Sequence, residues 1–132
     1  MIIEKMLDAT VRSSDGSHFP DGYMCLEWRD FDPAVVHAVI GAFKGGPGED
    51  WTFGREQLDK GSRLLGDVKI TVGNVYAAIH LYPGSGACTS VIVSRPALRD
   101  FLDATYRSVP RSGESGVYLS DLDSEYAAIC GE

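Results

Sequence analysis

Apolar and polar positions alternate from the first residues: Ile3, Leu7, Ala9 and Val11 share one parity, Glu4, Asp8 and Thr10 the other, with Lys5 as the exception. A period of two predicts a half-buried strand over residues 2–11. Residues 12–22 hold Ser13, Ser14, Asp15, Gly16, Pro20 and Gly22, a composition that predicts a loop. Tyr23 to Trp28 reads as a second strand with Met24, Leu26 and Trp28 on one face. Arg29 to Pro33 reads as a turn, because the proline holds the residue before it in extended geometry. From Ala34 to Phe43 both parities are apolar, Val35, Val39 and Phe43 against Val36, Ala38 and Ile40. This predicts a strand covered on both faces, or a central strand. A buried helix competes, but the β-branched content and the bounding Pro33 and Gly45-Gly46-Pro47-Gly48 favour the strand. Trp51 and Phe53 flank Thr52 on a short fourth strand and share the face expected to be core. Arg55 to Lys60 can form about two helical turns before Gly61, a favoured residue just past a helix end.

The second half repeats the scheme. Val68, Ile70 and Val72 alternate with Asp67, Lys69 and Thr71, and Gly73-Asn74 signals a hairpin to a partner strand over Val75–Tyr82. Pro83-Gly84-Ser85-Gly86 turns the chain into a third strand, Ala87–Val93, to complete a meander. Ser94 can cap a helix with Pro96 in its first turn. Leu98, Phe101, Leu102, Thr105 or Tyr106, and Val109 keep helical spacing up to Pro110. Ser120-x-x-Asp123 resembles a capping box opening a short tail helix. The predicted order is four strands, a short helix, three strands, a longer helix and a tail helix.

The 132 residues suffice for one domain with its own core. A net charge of −7 lowers the expectation of nucleic acid binding, since such a chain repels phosphate backbones at long range. The excess of acid is concentrated after Arg111, where Glu114, Asp121, Asp123, Glu125 and Glu132 meet no Lys or Arg. No apolar run is long enough to span a bilayer, and the start lacks the basic-then-apolar signature of a secretion signal, so a cytoplasmic protein is expected. Cys25, Cys88 and Cys130 form no C-x-x-C pair and read as reduced thiols.

Candidate chemistry is sparse. His18, His37 and His80 show no metal-ligand spacing, so no metal and no cofactor are expected. Asp121 to Glu125 lacks the sixth-position glycine and twelfth-position glutamate of a calcium loop. Gly45-Gly46-Pro47-Gly48 is followed by no Gly-Lys-Ser/Thr, and Gly84-Ser85-Gly86 sits in a hairpin rather than a strand-to-helix elbow. Cys88 has no nearby His or Asn to activate it. Arg55, Lys60, Arg63 and Lys69 beside Trp51 and Phe53 form a basic-aromatic stretch of the kind a single-strand nucleic-acid binder uses, diluted by Glu56, Asp59 and Asp67.

Five elements in order carry a resemblance over roughly residues 22–125: Asp32-Pro33 before an apolar strand; Trp51, Phe53, Arg55, Glu56 and Leu58; Gly66-Asp67-Val68-Lys69-Ile70; Phe101-Leu102-x-x-Thr105; and Val109-Pro110-x-x-Gly113-Glu114. Together they resemble the SsgA-like family of sporulation and cell-division regulators of filamentous actinobacteria. The chain departs from that pattern at Tyr82-Pro83-Gly84-Ser85-Gly86, Ser94-Arg95-Pro96 and Gly54. The resemblance implies an α+β, Whirly-like fold of two mainly antiparallel sheets packed with helices, assembled as a trimer. It also implies no enzyme activity, and recruitment or positioning of the division GTPase FtsZ or of septal wall machinery. Protein contacts of this kind favour aromatic and arginine anchors, which makes Trp28, Trp51 and Arg55 the candidate partner-contact residues. The alternative reading is a single-stranded nucleic-acid-binding Whirly-like protein, resting on fold analogy.

Overall fold

The computed structural model describes residues 1–82 and 88–110. Its strands are β1 (Ile2–Ser13), β2 (His18–Arg29), β3 (Val35–Gly41), β4 (Gly48–Gly54), β5 (Ser62–Leu65), β6 (Val68–Val72), β7 (Tyr76–Leu81) and β8 (Thr89–Ser94). Helix α1 (Arg55–Lys60) follows β4, and α2 (Arg95–Ser108) follows β8. The expected tail helix lies outside the described residues.

The fold is α+β, as expected, but it contains one curled eight-stranded antiparallel sheet in the order β4-β3-β2-β1-β8-β7-β6-β5, not two sheets. Two four-stranded meanders, each followed by a helix, share it. The join is short. β1 pairs with β2 from Ile2 to Arg12, while its last residues, Ala9 to Ser13, also pair with β8 from Val93 to Thr89. One long strand thus serves both halves, and the interruption that would have separated two sheets does not occur.

The reading of residues 12–22 as a loop hid that join. β1 continues to Ser13, and β2 starts at His18. The tight turn between them is held by the Ser17 amide donating to Asp15 Oδ1 at 2.8 Å. Pro20 falls where the β1–β2 register shifts, between Ala9 opposite Gly22 and Val11 opposite Phe19. At such a bulge the missing proline N–H leaves no gap in the ladder.

β5 is a second correction, a four-residue strand pairing with β6 that the sequence pattern did not reveal. Two contacts are too few to display a period. β4 runs seven residues rather than three, because its glutamate and aspartate lie on an outer strand open to water. β7 and β8 shorten to Tyr76–Leu81 and Thr89–Ser94, and the Gly73 amide closes the β6–β7 turn onto the Tyr76 carbonyl at 2.9 Å.

The helices form as their sequence signals require. At the start of α1, Gln57 Oε1 accepts from the Gly54 amide at 3.1 Å, half of a capping box. At its end Gly61 takes φ 81° and its N–H returns to the Gln57 carbonyl, a backbone region L-residues avoid. Ser94 Oγ accepts from the Ala97 amide at 3.3 Å, and Pro96 occupies the first turn of α2.

Both helices lie on one face of the sheet. Their Leu58, Leu98, Phe101 and Leu102 join Met24, Leu26, Trp28, Val36, Ala38, Ile40, Phe53, Ile79 and Val91 in a single buried cluster. Among the described residues the opposite face carries no helix, so of the two readings of Ala34–Phe43 the structure bears out the central strand, β3 lying between β2 and β4, and not cover on both sides. Val36, Ala38 and Ile40 are buried, but Val39 and His37 on the other parity are exposed, and so is Phe43 beyond the strand.

Candidate functional site

The three partner-contact candidates separate in space. Trp28 is fully buried, and its Nε1 donates to the Pro33 carbonyl at 3.0 Å. That bond explains the Asp32-Pro33 element: the turn folds the proline carbonyl back over the end of β2. Arg55, the first residue of α1, is also fully buried. Its Nη1 donates to the carbonyls of Thr105 (3.2 Å) and Val109 (2.9 Å) at the end of α2. The guanidinium lies 4.3 Å from the Tyr106 ring centroid and 5.5 Å from that of Trp28. The Thr105 carbonyl also accepts from the Val109 N–H at 2.9 Å, whereas the Val109 carbonyl lies past the helix end, where a cation is favourably placed. Neither side chain reaches the outside of this chain.

Asp59 continues the same interior network. It is 5% exposed, and its Oδ1 lies 2.5 Å from Arg99 Nη2 and 3.7 Å from Arg95 Nη2. The Tyr106 hydroxyl donates to Oδ2 at 3.3 Å, and Arg95 Nη2 donates to the Asp59 carbonyl at 2.8 Å. Charge buried this deeply needs several partners. The arginine-acid-aromatic chemistry of residues 55–59 therefore docks the two helices to each other.

Trp51 is different. It sits half-buried on the outermost strand β4, packed at the margin of the core, and its Nε1 reaches Glu49 Oε2 at 3.3 Å. Its register partner is the buried Ala38, so its ring lies on the helix side of the sheet, and only its strand borders a groove of about 870 Å³ on the opposite, bare face of β1–β4. Strand register builds this groove from two rows, Met6–Cys25–Val39–Asp50 and Glu4–Glu27–His37–Thr52. The first row supplies an apolar floor: Met6 is 56% and Val39 36% exposed. The second is mostly acidic. Glu27 pairs with Arg29 at 2.5 Å, whereas Glu4 and Asp50 have no ion pair among the described residues. The groove offers contact area and negative charge, which suits docking.

The remaining candidate groups are scattered. His18 and His37 are exposed, and His80 Nδ1 is 2.9 Å from Ser90 Oγ. Cys88 hydrogen-bonds with Tyr82, and this contact is the first cause raising the Tyr82 hydroxyl above its ordinary value, ahead of partial desolvation. Among the described residues no three His, Cys, Asp or Glu side chains converge as a metal site. The groove itself was absent from the sequence reading. Its signal is the double apolar parity of Val35–Ile40, which fits a covered or a central strand equally well and does not reveal that one face is open.

Among the described residues the protein is an α+β, helix-backed antiparallel sheet with one bare face and an interior polar clasp. The family model for the Streptomyces sporulation and cell division protein SsgA matches residues 23–114, and the chain belongs to that family. Its fold is similar to a solved structure of SsgB, mutations of which correlate with longitudinal cell division during sporulation of Streptomyces coelicolor. That likeness has a TM-score of 0.71 and 24% identity, covering 86% of this chain and 93% of that one. It is likewise similar to the SsgA-like sporulation-specific cell division protein of Thermobifida fusca, with a TM-score of 0.72 and 24% identity over 97% of this chain and 95% of that one. No curated protein matches the chain in sequence. Among the described residues, no helix is long and apolar enough to cross a membrane.

Proposed function

We propose that this protein is a non-enzymatic regulator of sporulation-specific cell division. It acts in the cytoplasm at the septum, by protein–protein contact that recruits or positions FtsZ or the septal wall machinery. The observation carrying this reading is the family match over residues 23–114. The site's chemistry supports it: Arg55 and Asp59 are consumed in an interior clasp, and among the described residues the open face presents an apolar floor and the carboxylates of Glu4 and Asp50 without an ion pair. Trp51, half-buried on the helix side of the outer strand β4, is the one of the three contact candidates that is partly open to a partner.

The unit we propose is a homotrimer. Among the described residues β4 and β5 end the sheet with unpaired edges, and an edge is a ready template for subunit packing. Sedimentation of the purified chain tests this, a trimer having three times the 14.3 kDa chain mass. The function is tested in a sporulating actinobacterium lacking its SsgA-family protein. The expected result is that a fluorescent fusion of this chain forms ladders at sporulation septa and restores FtsZ rings. A fusion that stays diffuse, in cells whose septation is not restored, would overturn the reading.

A further inference from the structure

The two halves of the bare face differ in charge. Across β1–β4 it is acidic, as described. Across the other half, strand register aligns five side chains that lie far apart in sequence: His18 opposite Arg12, Arg12 opposite Ser90, Ser90 opposite His80, and His80 opposite Lys69. Residues directly opposite one another in a ladder project from the same side of the sheet. The buried neighbours Val11, Val91, Ile79, Val68 and Ile70 face the helices, so this row faces away from them. His18, Arg12 and Lys69 are exposed, and Ser90 and His80 are half-buried and joined by their hydrogen bond. Arg12 and Lys69 have no ion-pair partner among the described residues, although Asp15 and Asp67 border the row.

We propose that the row His18–Arg12–Ser90–His80–Lys69 is a docking surface for an extended acidic segment of a partner protein, lying across the strands with carboxylates at alternate positions. Spacing carries the match. Arg12 and Lys69 are three strand steps apart, about 14 Å. In an extended peptide, residues i and i+4 project from one side about 13–14 Å apart, with i+2 midway. Two carboxylates therefore meet Arg12 and Lys69, and the residue between them meets the Ser90–His80 hydroxyl and imidazole. A single-stranded nucleic acid fits less well. The chain's charge of −7 opposes it, and Tyr76, the exposed aromatic on this face of β7, lies four residues along the strand from His80. The proposal deepens the contact reading of the protein by naming partner chemistry, and its test does not depend on division.

The test is fluorescence anisotropy of the full chain with a labelled peptide alternating glutamate and serine. The comparison probes are a same-composition peptide with its glutamates contiguous and an oligothymidylate of equal charge. Saturable binding is expected that prefers the alternating peptide and weakens as salt rises from about 0.01 M to about 0.1 M. Arg12→Glu with Lys69→Glu, both surface changes, should weaken it about tenfold or more at an unchanged melting temperature. Arg12→Lys should retain most of it. Equal binding by the charge-reversed and parent proteins, absence of saturation, or tighter binding of the oligothymidylate would each overturn the proposal. If septal localisation fails while the peptide binds, the division reading falls and this surface stands.

Discussion

The guanidinium of Arg55 stacks 4.3 Å from the ring centroid of Tyr106, joining the first residue of α1 to the last turn of α2. The same group donates to the Thr105 and Val109 carbonyls. The arginine of the Trp-x-Phe-x-Arg block is thus a fastener between helices some fifty residues apart in sequence, and its conservative replacement should fail.

Arg55→Met should lower stability by about 3–5 kcal/mol, because helix-end carbonyls and the charges sharing the network are left buried without their cation. Arg55→Lys should recover only part of this, since a point charge cannot both stack and donate in two directions. Denaturant midpoints at constant m-value check both. Near-wild-type stability for Arg55→Met would contradict the fastening role.

Asp59→Asn should cost about 2–4 kcal/mol. The amide cannot compensate Arg99 at 2.5 Å and Arg95 at 3.7 Å, which would face each other across the buried Asp59 position. Thermal unfolding of the variant beside Asp59→Asn/Arg99→Met measures the coupling. Partial recovery in the double variant is expected.

Gly41 lies where a Cβ would run into the Tyr23 ring, whose hydroxyl donates to the Gly46 carbonyl at 3.1 Å. Gly41→Ala should therefore destabilise by about 1–3 kcal/mol through overpacking. Gly41→Ala combined with Tyr23→Leu should be less than additive, and equilibrium unfolding of the single and double variants reads the difference.

The two tryptophans should be distinguishable by quenching. Trp28 is fully buried, whereas Trp51 is partly open on the edge strand. In Trp51→Phe the remaining emission should resist acrylamide, and in Trp28→Phe it should quench readily. Stability should fall by several kcal/mol only in the latter, through loss of core volume and of the bond to Pro33.

The β1–β2 turn carries a pH signature. The Ser17 amide and then its hydroxyl hold the Asp15 carboxyl below its ordinary value of 3.8. A depressed native value means this contribution is present above 3.8 and disappears as pH falls through the lower native value. Carbon-detected titration should place the Asp15 midpoint below 3.8, and Asp15→Asn should remove that transition.

Alternation and capping signals run along neighbouring residues, so the order of elements could be read directly: the strands around Ile3–Val11, Tyr23–Trp28 and Val68–Val72, the helix closed by Gly61, and the helix opened by Ser94 and Pro96. The resemblance to its family was legible for the same reason, being carried by short blocks. Whether those blocks face inward or outward was not legible. Arg55 and Trp28 read as contact residues because charge and large aromatics ordinarily favour surfaces and interfaces. The end of α2, brought over them by folding, converts both into interior fasteners.

Single-chain pattern also left open whether the two meanders form separate sheets. The answer lies in five register pairs between the end of β1 and β8, about eighty residues apart, the last two of them reaching into a stretch whose serines, glycines and proline imitate a loop. The alignment of Arg12, Ser90, His80 and Lys69 has the same origin. Local sequence determines what each strand and helix is, because period and caps act over a few residues. Only the tertiary structure decides which side chains become neighbours, because strand order and helix docking are settled by burial summed over the whole chain.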